Sequence, residues 1–204
     1  GLHSVIAAIK NPKRKIIALK CTNDFFVKNK KIIDSTKIEN VTILKRNQID
    51  LETKNNVNQG AYLVTTKLKT FDLNGIEENE KLVVILDSLN DSQNVGSILR
   101  SAYLFGIKSI IFNKNNSFEI NSFLIKASSG AYEKVKMIEV TNLNRTIELL
   151  KKKKFWVIGL DINSNGTLMS IPKETKKALV LGSETKGIRK LIQKNCDFLI
   201  KINT

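Results

Sequence analysis

From Lys81 onward the sequence alternates short, continuously apolar runs with stretches of helical periodicity, a pattern that leaves few architectures open. The runs are LVVIL at 82–86, SIIF at 109–112, VKMIEV at 135–140, FWVIGL at 155–160 and ALVLG at 178–182. Helices fit between them over 95–105, 122–128, 143–153 and 188–194. A strand that is apolar on both faces must be covered on both, and parallel strands are joined by crossover helices. The pattern predicts an α/β fold on a mainly parallel sheet, with any ligand beyond the carboxyl ends of the strands.

Before residue 70 the pattern is different. A short helix at 5–9 leads through the basic turn NPKRK into an apolar strand, IIALKC, and then into lysine-rich helical or loop segments. NVNQGAYLVTTKL closes this part as a turn followed by a strand. We read a small α/β domain at 1–69 and a second domain at 81–204. Between them, 70–80 reads as a linker, because FDLNGIEENE is acidic, contains Asn-Gly and has little to bury.

Composition narrows the chemistry. Lys and Arg number 34 against 19 Asp and Glu, for a net charge of +15, which points to a polyanionic partner, nucleic acid first. The abundance of Lys, Asn and Ile also fits an AT-rich gene whose lysines coat solvated faces. With Cys21 and Cys196 at opposite ends and His3 the single histidine, neither a thiolate metal cage nor a Ser-His-Asp triad has the residues it needs. No metal is expected. No apolar run approaches the ~20 residues of a membrane span and no secretory signal is recognisable, so the expected location is cytoplasmic, without membrane partners.

Two strand-to-helix elbows carry the candidate chemistry. In the first, LNDSQNVGSILRSAYLF, the residues Val95, Ile98, Leu99, Ala102 and Phe105 fall on one helical face, which predicts burial on the sheet, with Arg100 off that face. Asp91 or Ser92 can cap the helix, Asn94 lies in or beside the first turn, and Gly96 permits close approach of a neighbour or a ligand. In the second, ALVLGSETKGIRKLI, Gly182 and Gly187 permit a tight turn and Glu184 puts a carboxylate at the same edge. Neither elbow is a phosphate-binding P-loop, a dinucleotide G-x-G-x-x-G or a G-x-S-x-G nucleophile turn. On the residues alone, the first also reads as a capped helix with a solvated arginine and the second as a plain turn with a surface glutamate.

Together and in this order, DSQNVGSILRSA and LVLGSETKGIR resemble motifs 1 and 2 of the SpoU (TrmH-type) branch of the SPOUT RNA methyltransferases. KASSGA at 126–131 and VTNL at 140–143 are similar to family sequence as well, and GLHSV and NQGAYLV resemble the start and end of the small substrate-binding domain of ribosomal-RNA 2′-O-ribose methyltransferases. The chain departs from the pattern at Ser92, where proline is usual and its loss is expected to loosen the loop. It departs again at Thr185, where glycine is usual. After LIKI, where the family continues into motif 3, the sequence reads Asn203-Thr204.

The resemblance implies an L30e-like N-terminal domain before a SPOUT α/β-knot domain, S-adenosylmethionine as cofactor, RNA as partner with ribosomal favoured over transfer RNA, and a homodimer through the knot domain. It implies methyl transfer to a ribose 2′-hydroxyl, on a guanosine of large-subunit ribosomal RNA. The catalytic group would be Arg100, with Asn94 orienting the region and Glu184 bracing the arginine or the fold around it. Leu181, Gly182 and Ile202 would hold the adenosyl moiety, and Lys13, Arg14 and Lys15 would contact RNA phosphates. The competing reading is a non-catalytic RNA-binding module of the same fold.

Overall fold

Successive side chains of a strand point to opposite faces, and in the larger sheet each face has its own core. Val83 and Ile85 face one layer with Ile111, Ile147, Leu150 and Ile192. Val84 and Leu86 face the other with Val95, Leu99, Phe112 and Leu124. In the computed structural model, which describes residues 1–36, 38–54, 56–115 and 117–202, this sheet contains six strands. They are β4 (Leu82–Asp87), β5 (Ser109–Asn113), β6 (Lys136–Val140), β7 (Phe155–Leu160), β8 (Lys176–Gly182) and β9 (Phe198–Ile200), in spatial order β6-β5-β4-β8-β7-β9. Every strand pair in it is parallel.

Four helices cover this sheet: α4 (Ser92–Leu104) and α5 (Ser122–Ala127) on one layer, α6 (Leu143–Lys152) and α7 (Lys190–Asn195) on the other. Short polar side chains start three of them, as Asp91, Asn121 and Asn142 each accept a hydrogen bond from a first-turn backbone N–H. Phe105 departs from expectation. The helix ends at Leu104, so the helical period stops one residue short and Phe105 is 82% exposed.

The N-terminal part runs α1 (Leu2–Lys10), β1 (Ile16–Cys21), α2 (Asn23–Asp34), β2 (Val41–Ile43), α3 (Arg46–Glu52) and β3 (Ala61–Thr65). Its three-stranded sheet has the order β2-β1-β3, with β1 parallel to β2 and antiparallel to β3. Val5, Ile9, Leu19, Phe25 and Ile33 form a separate small core.

Residues 71–80 bury more than their composition foretells. Phe71 exchanges backbone hydrogen bonds with Met137 and Glu139 along the edge of β6, Ile76 joins the larger core, and the buried Glu80 accepts a hydrogen bond from Ser109 Oγ at 3.0 Å. The expectation that this segment has little to bury is corrected: Ile76 and Glu80 are buried and Leu73 packs against the larger core.

Candidate active site at the carboxyl edge

Asp87 ends β4 and pairs in register with Gly182, which ends β8, so both elbows leave adjacent central strands at the same level. The first turns sharply at Ser88, whose φ of 61° lies in the left-handed region that non-glycine residues rarely occupy. In the second, Ser183 and Gly187 exchange backbone hydrogen bonds across a tight loop. A Cβ on Gly182 would come within 2.1 Å of the Gly187 carbonyl carbon, so only glycine fits there. Positive φ falls on Gly187, at 65°, and not on Thr185, so the residue that replaces the usual glycine needs no unusual backbone.

The loops meet through side chains. Asn94 Nδ2 donates to Glu184 Oε1 at 2.7 Å, and both residues are exposed. Glu184 therefore braces Asn94; it makes no hydrogen bond or ion pair with Arg100 among the described residues. Arg100 lies six residues beyond Asn94, about 9 Å along the helix axis, and is exposed on α4. Six residues at 3.6 per turn also place Arg100 about 120° round the helix from Asn94. Leu181 and Gly182, at the end of β8 beside these groups, are half-buried, whereas Ile202, beyond β9, is 53% exposed.

Two features of this edge escape a reading of the residues. Asp87, fully buried, accepts a hydrogen bond from the backbone N–H of Arg189 at 2.8 Å and another from Arg189 Nε at 2.7 Å. It locks the far side of the second elbow to the first strand. Its signal is a lone carboxylate ending an apolar strand. Ser92, expected to loosen its loop, tethers it instead. Its hydroxyl donates to the Glu119 carbonyl at 2.8 Å and accepts from Asn121 Nδ2 at 3.2 Å. Gly96 serves a neighbour and not a ligand, because a Cβ there would sit 2.6 Å from Ala127 Cβ and from the Leu124 carbonyl oxygen of α5.

The basic turn needs a correction. Lys13 and Lys15 are exposed, but Arg14 is buried and its guanidinium is committed to Glu133 and, at 2.8 Å, to the Thr66 carbonyl. A cation already paired with a buried carboxylate is not available to a phosphate, so of the three basic residues only Lys13 and Lys15 are exposed, with Lys13 Nζ 5.8 Å from the centre of the Phe71 ring. His3 is exposed. In KKKK at 151–154, at the end of α6, Lys151 reaches Asp197 at 2.7 Å while Lys152 and Lys153 are exposed. Burial pushes the Cys21 thiol up and the Cys196 thiol to about 12, so neither supplies a thiolate at neutral pH. No group of three or more His, Cys, Asp or Glu that could hold a metal ion occurs among the described residues.

A parallel sheet whose central strands end in two loops tied together at the carboxyl edge defines an α/β protein with its ligand site at that edge. Residues 81–204 match the model of the SpoU rRNA Methylase family. An uncharacterized tRNA/rRNA methyltransferase of Borreliella burgdorferi is 37% identical over 87% of the chain and 84% of its own length. The 23S rRNA (guanosine-2′-O-)-methyltransferase RlmB of Coxiella burnetii is 29% identical over 99% of the chain and 84% of its own length. Among solved structures, an AdoMet-bound rRNA methyltransferase from Sinorhizobium meliloti superposes with a TM-score of 0.82 at 19% identity, covering all of this chain and 77% of that one. The chain belongs to the SpoU rRNA methylase family and is an RNA methyltransferase of the SpoU/TrmH type.

Proposed function

We propose that this protein transfers a methyl group from S-adenosylmethionine to a ribose 2′-hydroxyl of RNA, on a guanosine of large-subunit ribosomal RNA. The observation that carries the reading is the Asn94–Glu184 hydrogen bond, which joins the two elbows beside the open ends of β4 and β8. The residues present fit the cofactor: Leu181 and Gly182 are half-exposed where their strand leaves the sheet, offering backbone polar groups and an apolar side chain to a purine nucleoside. With Ile202 they would hold the adenosyl part. When bound, the cofactor supplies an electrophilic methyl group on a sulfonium centre.

The rest of the chemistry belongs to the chain. A ribose hydroxyl is a very weak acid, and a guanidinium with a pKa above ~12 is a poor base. Arg100 acts as a fixed cation that stabilises the developing alkoxide and holds the adjacent RNA phosphate, with that phosphate or water taking the proton. Asn94, held by Glu184, orients the loop that faces the ribose. Lys13 and Lys15 contact phosphates and set register without reading sequence. The working molecule is a cytoplasmic homodimer. Leu104 and Phe105, 72% and 82% exposed at the end of α4, support an interface between copies, and two free thiols suit a reducing compartment.

The test is calorimetric titration of S-adenosylmethionine into this chain, with transfer of labelled methyl to ribosomal RNA measured alongside. Arg100→Ala is expected to lower methyl transfer by about 100-fold or more while cofactor and RNA binding persist. An equal loss of RNA affinity would make Arg100 a phosphate anchor, and retention of RNA with no cofactor bound would favour the non-catalytic module.

A further inference from the structure

Outside the elbows a cavity of about 340 Å³ lies between the N-terminal part and the larger sheet, lined by residues of α1, of β3 and the turn before it, and of α5. Most of its wall is apolar, and the two parts of the chain contribute facing hydrophobic groups. Val57 comes from one side, 62% exposed, and Phe123 from the other, 50% exposed. Among its lining residues the one carboxylate, Glu133, is already neutralised by Arg14. Asn58 spends its amide on Asp50, Thr53 and the Asn56 carbonyl. The exposed ammonium of Lys126 and the side-chain amide of Asn56 make no hydrogen bond or ion pair among the described residues, and Gly1 and Ser122 line the cavity as well.

We infer that this cavity receives an unpaired nucleobase of the RNA substrate, stacked on Phe123, with Lys126 on the flanking phosphate. The inference rests on the proposed RNA methyl transfer. An aromatic face, an uncommitted amide and the Lys126 cation, with no free acid among the lining residues, match a nucleotide: a planar base whose edge an amide can read and whose phosphate an ammonium can hold. An acidic or apolar peptide would use the lysine or the walls but leave the pairing of base edge and phosphate unexplained. The cavity also adjoins the reaction edge through a short rigid element. Phe123 sits in the first turn of α5, and that helix's cap, Asn121, is hydrogen-bonded to Ser92 in the turn of α4 that carries Asn94. A base held there fixes the register of the strand running to the Asn94–Glu184 edge, so the cavity would select the nucleotide context around the methylated ribose.

The experiment uses the whole protein and a short single-stranded RNA of mixed sequence carrying thiouridine as a photocrosslinker. The expected crosslink falls in the peptides holding Phe123 or Val57. Phe123→Ala is expected to weaken RNA binding about 10-fold, the scale of losing one stacked base, with S-adenosylmethionine affinity and thermal midpoint unchanged. Lys126→Ala, an exposed substitution, is expected to reduce the slope of log affinity against log salt by about 0.7, as for one lost phosphate contact on a single strand. Crosslinks confined to other surfaces, with both variants binding RNA as the unaltered protein does, would overturn the cavity assignment. Cofactor binding and methyl transfer that persist beside such a result would leave the proposed reaction standing. RNA captured at Phe123 by a protein that binds no cofactor would uphold the cavity and overturn the reaction.

Discussion

Asp87 shows how much one side chain can organise. Its carboxylate is fully buried, yet both oxygens are used, one on the Arg189 backbone and one on its guanidinium. Asp87→Ala removes two charge-assisted hydrogen bonds and releases the second elbow. The expected cost is about 1.5–3 kcal/mol by chemical denaturation, with a larger proportional loss of cofactor affinity than of RNA affinity. Glu77 makes a different prediction, in pH. Lys136 and Lys108, at 2.7 and 3.0 Å, hold its carboxyl down from the ordinary 4.5 to about 2. A folded value below the unfolded one adds stability that is present above about 4.5 and is lost as pH falls toward 2. Glu77→Gln should therefore flatten the fall of thermal midpoint across that acid window and change little at neutral pH.

At the scale of elements, α4 was the most legible part of the chain. Its buried stripe of Val95, Leu99 and Ala102 follows from helical periodicity, and its cap follows from Asp91. What periodicity could not supply was the partner. Gly96 is small because α5 crosses there, with Ala127 Cβ and the Leu124 carbonyl where a methyl would go. Gly96→Ala is expected to destabilise by about 1–3 kcal/mol through overpacking, read from a denaturant midpoint. It should also displace Asn121 from Ser92, measurable as faster hydrogen exchange in the first turn of α5. The burial within 71–80 was not foreseen for a similar reason. Ile76 and Phe71 are single apolar residues in a polar stretch, and a lone residue carries no period by which its burial could be foreseen.

At the scale of the molecule, a buried latch joins the two sheets. Arg14 and Glu133 have side chains 3% and 2% exposed, and Asn11 adds a hydrogen bond to the same carboxylate at 2.7 Å. Ser4 Oγ donates to the Ile125 carbonyl at 2.8 Å a short way along α1. The N-terminal part is thus held against the larger sheet, not hung from it. Removing one member of a buried ion pair strands the other, at a typical cost of about 3–5 kcal/mol. Calorimetry of the unaltered protein should show one unfolding transition, and Glu133→Ala should separate it into two, with the N-terminal sheet melting first.

Sequence by itself determined the order and kind of five strands and four helices from Lys81 onward, missing β9, and it marked the two elbows as the place where chemistry would sit. Both are local properties. An apolar strand, an Asx cap and a glycine turn are dictated by neighbours a few residues away. Tertiary structure alone decided which of the marked residues meet. Asn94 found Glu184, and Arg100 stayed apart from both, because the register of β4 against β8 sets what lies opposite what. It also decided that Arg14 is a buried structural cation while Lys13 and Lys15 stay exposed, Lys13 beside the Phe71 ring. Three adjacent basic residues look alike in a sequence, and only a carboxylate 119 residues away, brought close by the fold, distinguishes one from the others.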